Sequence, residues 1–467
     1  MSPIRTAPFL AALALAGPAG AADGVRLPDY QTVTLANGAT LLLMERHDVP
    51  MVSLDLIMRS GTIGDAPGKD GTASLLAQLI TKGAAGRDAA AFAAAIDGVG
   101  GRLSGYAGRE VFGIAADFMA RDLDLMIELA ADALQRPRLE AAEFGKLRQR
   151  AIESIAASKD GDPRGLLGSY GYAWLYQGHP YGRAHDGHER TLAALALDDL
   201  RAYQRERLGG DRLVIAVVGD FKAKPLAAKL GKAFGGWRKA AAPLIAAPAP
   251  VRQQGRRVLL VDKPGATQSY FWLGNVGVER QDPELPAQEL VQTVFGGRFT
   301  SMLNTELRIK SGLSYGARAA LDRYLRAGAA SILTYTKTES TVEALDLALA
   351  TLATLKAHGI DPEMLESAKR YVLGQFPPDL ETAPQLADRL TELWLHGLPR
   401  SDVDEYAARI RAAGPEQVAR AIREAFPDGA NLAMVVIADA DQVRAQVAKY
   451  GPVTEMKISD PGFFPTR

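Results

Sequence analysis

One ending is used twice in this chain, and it limits the possible folds more than any other feature. Residues 212–224 read RLVIAVVGDFKAK and residues 431–443 read NLAMVVIADADQV. Each is a short aliphatic run, then a Gly-Asp or Ala-Asp turn, then the start of a helical pattern. A length of 467 residues is too much for one ordinary core. The doubled ending divides the chain into two similar halves, residues 25–237 and 255–455. Residues 238–254 lie between them and include AAAPLIAAPAPVRQQ, an Ala/Pro-rich stretch that reads as a linker.

Within each half, strands stand first and last with helices between, the pattern of α+β domains. The first half opens with strands at 32–35 and 40–45 around Asn37-Gly38, a strong tight-turn pair. A strand at 52–58 follows, then helical patterns at 72–81, 88–96, 120–134, 140–157 and 192–206. The second half repeats the scheme. It has strands at 258–262 and 269–273 and helices at 286–295, 300–310, 342–356, 362–374 and 384–395.

Composition narrows the class. Acids and bases balance at 54 each, which argues against a nucleic-acid binder, since these carry a basic excess. With no cysteine, disulfides and thiol chemistry are excluded. Arg5, the apolar run 9–16 and Ala19-Gly20-Ala21 have the form of a secretory signal, predicting export to the periplasm with cleavage after about Ala21. That run is too short to span a bilayer, and no later stretch reaches the roughly 20 residues required.

Several local motifs carry more information than composition. In chain order they are GTIGDAPGKDG (61–71), GTASLLAQLITKG (71–83), DGVGGRLSGYAGRE (97–110), HPYGRAHDG (179–187) and VVGD (217–220). The second half adds FGGRFTSMLNTELRIKSGLSYGARA (295–319), the most specific of them, and PPDLETA (377–383). Together they resemble the M16 zinc peptidases (pitrilysin, mitochondrial-processing-peptidase-like) over nearly all of the mature chain. The resemblance implies two homologous lobes from a tandem duplication. Each would be a mainly antiparallel sheet packed with helices, and the two would face each other as a clamshell.

The helix at 71–83 is where the resemblance implies a metal and the residues refuse it. The family reads G-x-A-H-x-x-E-H there. Histidines at i and i+4 share one helical face, and the glutamate before the second can act as a base. Here Ser74, Ala77 and Gln78 occupy those places, and Ser154 stands at the third ligand's place with Glu153 beside it. Neutral hydroxyl and amide groups are poor zinc ligands, and Ala77 cannot accept a proton. Among the six histidines only His185 and His188, in HDGHE with Glu189, are clustered. Gly187, after Pro180 and Gly182, places them in a loop of solvated histidines. No metal is therefore expected in this chain.

What the chain keeps lies in the other half. Arg308 falls near the end of a helix, Gly312 fits its C-terminal cap, and Tyr315 is expected to open a strand. Locally, a cation in a last helical turn and a core tyrosine would suffice to explain the pair. The resemblance implies more. In M16 peptidases an Arg/Tyr pair here reaches across the cavity toward zinc on the opposite lobe and donates hydrogen bonds to the substrate carbonyl and oxyanion. Donors so placed are worth roughly 3 to 4 kcal/mol each. Met302 replaces the arginine usual in that motif. Ser104 and Gly105 stand at the family's Asn-Ala places, in a strand at 102–107 expected as a peptide-binding edge.

The expectation is thus a periplasmic, zinc-less subunit of a heterodimeric metallopeptidase. It would use Arg308 and Tyr315 in trans on peptide substrates, with zinc held by an H-x-x-E-H partner. A non-catalytic M16-fold scaffold or peptide-binding protein is the competing class. An active peptidase using unrecognised ligands is a third.

Overall fold

The middle strands of both halves are apolar on both faces, so each sheet must be covered twice. The computed structural model describes residues 25–465; the predicted export segment lies outside them. The first sheet is built from β1 (Gln31–Thr34), β2 (Thr40–Glu45), β3 (Met51–Arg59), β4 (Arg102–Ala107), β5 (Val111–Met119) and β6 (Leu213–Gly219). The second contains β7 (Arg257–Asp262), β8 (Gln268–Val276), β9 (Ala317–Arg323), β10 (Ala327–Lys337), β11 (Ala433–Ala438) and β12 (Val453–Lys457). Strand orders are β1-β2-β6-β3-β5-β4 and β12-β7-β11-β8-β10-β9. The repeated ending is β6 and β11. Each lies between one parallel neighbour, β2 or β7, and one antiparallel neighbour, β3 or β8. The two-lobe α+β architecture is therefore as the resemblance implies. Only the outer edges differ: β1 pairs antiparallel with β2, whereas β12 returns from the C-terminus parallel to β7.

The lobes meet through exchanged helices. On the first sheet, Leu41, Leu43, Leu54, Leu56 and Val217 join the lobe's own helices in one core. The opposite face, including Leu42, Ile57, Val214 and Ala216, is covered by Leu386, Leu390 and Leu393 of the Ala383–His396 helix from the second lobe. The first lobe reciprocates. Its Leu167–Tyr176 helix packs on β8 and β11 of the second sheet, against the face carrying Tyr270, Trp272, Val435 and Ile437. Gly171 allows that approach: a Cβ there would come within 2.4 Å of the Trp272 ring. Facing between lobes is thus achieved by packed side chains within one chain. Fully burying a Leu-sized side chain contributes about 1.5–3 kcal/mol.

A polar latch reinforces the junction. Tyr181 of the HPYGR loop donates to Glu110 and accepts from the Arg326 amide, while Glu110 also accepts from the Leu325 amide at 2.8 Å. Tyr172 donates to Asp322, and the Arg109 guanidinium lies 4.0 Å from the Tyr172 ring centroid. Two motif segments that resemble family loops therefore hold the β9–β10 hairpin of the other lobe.

Several local expectations need correcting. The 192–206 helix is two, Glu189–Ala193 and Leu197–Arg207, because Ala196 is extended. His188 accordingly begins a helix instead of lying in an open loop, and it is buried. The 300–310 helix is a three-residue turn, Met302–Asn304, followed by a π-helical stretch, Thr305–Lys310. Tyr315 lies in a bend two residues before β9 and opens no strand. The linker is strapped down: Arg212 Nη2 donates to Ala242 O at 2.7 Å, and Ala247 is buried in the core. Among the described residues, no helix is long and apolar enough to cross a membrane.

Candidate functional site

The first-lobe site starts from the Thr72–Leu79 helix. Asp65 caps it, its carboxylate accepting from the Gly71 and Ala73 amides at 2.9 Å each. Burial pushes the Asp65 carboxyl up to about 7, against these two amides. Gly71 adopts φ +96°, and a Cβ there would lie 2.9 Å from Gly187 Cα, so the 185–187 loop can press on the helix start. Ser74 is buried and its hydroxyl donates to His185 O at 3.0 Å. Gln78 is exposed one turn later, its amide 3.3 Å from Ser74 O.

Ser74, Gln78 and Ser154 do come together. They line one cavity of about 350 Å³ with Arg150, Ser158, Ser169, Asp186 and Phe463. Ala77 is buried and its carbonyl faces Gly105 of β4, where a Cβ would sit 2.0 Å from the oxygen. Ser104 is exposed on β4, which pairs only with β5 and so forms the sheet edge. Glu153 is exposed on the Ala141–Asp160 helix and accepts from the Gln149 amide at 2.8 Å.

This donor set does not fit zinc. Three of the four positions carry neutral hydroxyl or amide groups and one carries none. The only cavity carboxylate, Asp186, is held below its usual range chiefly by the His185 ring 2.9 Å away. Among the described residues, no three His, Cys, Asp or Glu side chains converge as a metal would require. His188 leaves Nδ1 without a partner, and burial lowers its imidazole to about 4.

Phe463, near the C-terminus, was not foreseen as a cavity residue. Its ring meets Tyr170 edge-on at 5.0 Å. The tail is fastened by Lys159, which is buried, bonds Asp460 O at 2.7 Å and pairs with Glu189 at 2.6 Å. Glu189 in turn accepts from the Gly462 amide at 3.0 Å. Nothing local in a C-terminal GFFPTR announces a partner roughly three hundred residues upstream; only the fold supplies it.

The second-lobe site is an exposed surface. Arg308 projects from the π-helical stretch, and its guanidinium lies 4.4 Å from the Tyr315 ring centroid. Gly312 ends the helix as expected, at φ +67° with its amide on Arg308 O at 3.2 Å. Tyr315 is 74% exposed. The guanidinium also lies 4.8 Å from the Phe299 ring centroid. Met302 is half-buried behind this turn, against the core. None of the residues lining the Ser74 cavity comes from 295–319, so Arg308 and Tyr315 do not complete that cavity within the chain.

Two family models match in tandem. Insulinase (peptidase family M16) covers residues 41–185, and the peptidase M16 inactive domain covers residues 194–372. This chain belongs to peptidase family M16. A protein of Mycobacterium leprae named an uncharacterized zinc protease is 27% identical to the M16 chain over 361 residues, 76% of this chain and 80% of that one. A Bacillus subtilis protein of the same description is 24% identical, covering 86% of this chain and 97% of its own. Among solved structures, a peptidase M16 inactive domain from Pseudomonas fluorescens superposes with a TM-score of 0.82 at 24% identity, over 88% of this chain and 97% of its own. A protease from Helicobacter pylori gives 0.79 at 20% identity, over 88% and 100%. The last two establish the M16 fold of this chain independently of its motifs.

Proposed function

We propose that this M16 chain is the zinc-less subunit of an exported, periplasmic heterodimeric metallopeptidase. It supplies Arg308 and Tyr315 in trans and closes the peptide-binding cavity. One observation carries the reading: the cavity at Ser74, Gln78 and Ser154 has no donor set for zinc, while on the other lobe Tyr315 is exposed and the half-buried Arg308 beside it pairs with no acid among the described residues. A division of labour between two chains accounts for both. The partner, an M16 subunit with the H-x-x-E-H helix, brings the metal. Arg308 and Tyr315 donate hydrogen bonds to the scissile carbonyl oxygen as negative charge develops on it, the arrangement that most lowers acyl-transfer barriers. Arginine suits the task because its charge is fixed and its donors form a planar fork. Peptides or unfolded segments are the substrate class. The unpaired edge of β4, at Ser104 and Gly105, offers an extended peptide main-chain hydrogen bonds with little sequence demand.

The test is to purify the chain alone and with a zinc-bearing M16 partner, then measure peptide cleavage and metal content. Activity is expected only in the complex, with zinc carried by the partner. Cleavage with stoichiometric zinc in the isolated chain would sink the proposal. A complex that keeps full activity with Arg308→Ala and Tyr315→Phe would instead favour a scaffold that binds peptides without taking part in chemistry. N-terminal sequencing of the protein from a periplasmic fraction tests export; a chain retained in the cytoplasm with residue 1 intact rules it out.

A further inference from the structure

We infer that Phe299 is a positioning residue that holds the Arg308 side chain ready for an incoming substrate; this rests on Arg308 acting as a donor in trans. The guanidinium lies over two ring faces, 4.8 Å from the Phe299 centroid and 4.4 Å from that of Tyr315. Both rings are largely in solvent, 58% and 74% exposed, more than any other aromatic side chain among the described residues. Among the described residues no carboxylate pairs with Arg308. The nearest acid in its own turn, Glu306, is taken by Lys310 at 2.7 Å.

That combination has a physical purpose. A free arginine in water samples many rotamers, and fixing it costs conformational entropy. An acidic partner would fix it, but would also occupy its N–H groups. Aromatic faces fix a planar cation through its π surface and leave the in-plane donors open. The two ring faces therefore orient Arg308 without using the hydrogen bonds it must offer.

The two rings are themselves braced from behind by one side chain. Asn304 Nδ2 donates to Arg298 O at 3.3 Å, in the turn that presents Phe299. Asn304 Oδ1 accepts from the Ala317 amide at 2.9 Å, two residues beyond Tyr315. Ser301 N also bonds Arg298 O, and the Ser314 amide bonds Leu307 O at 2.9 Å, so both arms are tied to the Arg308 segment. Phe299 lies outside any regular element, in a turn where an apolar residue has no core to join.

The test has two arms. In the first, the isolated chain carries 15N-arginine, and the Arg308 side-chain N–H resonance is assigned by its loss in Arg308→Lys. Two neighbouring ring faces should move that proton upfield, and Phe299→Ala should return it toward the free-arginine position, while Phe299→Trp keeps it. An Arg308 resonance that ignores Phe299→Ala overturns the inference. In the second, the complex with the zinc-bearing partner is assayed. Phe299→Ala should lower kcat roughly three- to tenfold at constant KM, Phe299→Trp should restore it, and Phe299→Leu should not. Phe299→Ala should add nothing in an Arg308→Ala background. A rise in KM alone, or full activity of Phe299→Leu, would mean that the ring serves substrate contact or bulk and would overturn the inference. Arg308→Ala without effect would defeat the trans reading instead, leaving the resonance arm to decide whether Phe299 holds Arg308.

Discussion

Each lobe presses the end of a helix against its edge strand, and each uses one glycine to do so, on opposite partners. In the first lobe the strand gives way: a Cβ on Gly105 of β4 would lie 2.0 Å from the Ala77 carbonyl. In the second the helix gives way: a Cβ on Gly296, in the π-helical Thr293–Gly297 stretch, would lie 2.2 Å from the Ala319 amide of β9. The sheets kept the same strand order while the helix-to-edge contact was solved twice. The difference reaches the chemistry. The first-lobe helix stays α-helical and shows Ser74 and Gln78 to an open cleft. The second-lobe helix widens into π-turns, and the chain that follows exposes Phe299 and Tyr315 around the half-buried Arg308. π-turns are uncommon and often mark functional sites.

The largest expected effect tests the asymmetry of function. Arg308→Ala in the complex should lower kcat/KM by about 10²- to 10³-fold, while Gln78→Ala in the first-lobe cavity stays within about twofold. Steady-state peptide cleavage decides it; equal losses at both positions would erase the contrast. Next is the tail that lines the first cavity through Phe463. Lys159→Met leaves the Glu189 carboxylate without its cation, at a cost of about 3 kcal/mol, and amide exchange at 458–463 should accelerate. An unchanged denaturation midpoint would show that the tail adds nothing. Gly105→Ala and Gly296→Ala should each cost about 1–3 kcal/mol by overpacking against backbone. Thermal unfolding of the pair shows whether strand and helix glycines are equally unforgiving; a neutral result at either breaks the equivalence.

The smallest effect concerns one histidine in each lobe. Burial pushes His188 and His396 down to about 4, each with an unpartnered Nδ1. Neutral when folded, both take up protons more readily when unfolded. Stability is therefore intact above the ordinary histidine value of 6.5 and is lost as pH falls from there toward 4. The melting temperature should drop across that window, and His396→Gln should flatten the slope. A slope unchanged by His396→Gln would assign the pH dependence elsewhere.

Much of the architecture was legible in the sequence because periodicity is local. The repeated ending became β6 and β11, and the Asn37-Gly38 turn became the β1–β2 hairpin, with Gly38 at φ +97°. The Leu167–Tyr176 helix was missed because it is apolar nearly all round, with buried residues on most faces and no stripe to read. It is buried by the other lobe, a fact no local pattern encodes. Ser74, Gln78 and Ser154, which the resemblance set at the three ligand positions, line one cavity. Tyr315 was placed on a strand because its flanks are strand-like, but Ser314 hydrogen-bonds the Gly316 amide at 3.1 Å and bends the chain there. Phe299, Asn304 and Phe463 matter through contacts made in three dimensions, and only motif-independent inspection of an aromatic in a polar turn could have raised Phe299.

The exchanged helices have a consequence for fragments. A nick within residues 238–254 would cut the chain without undoing either crossing helix, so the two pieces should remain one particle on gel filtration. Produced singly, residues 25–237 would leave Leu42, Ile57, Val214 and Ala216 without their cover, and residues 255–455 would leave Trp272 and Ile437 bare. Neither half should then fold alone, and mixing the two should restore the buried contacts. The protein is in this sense an obligate dimer whose two subunits happen to share a backbone.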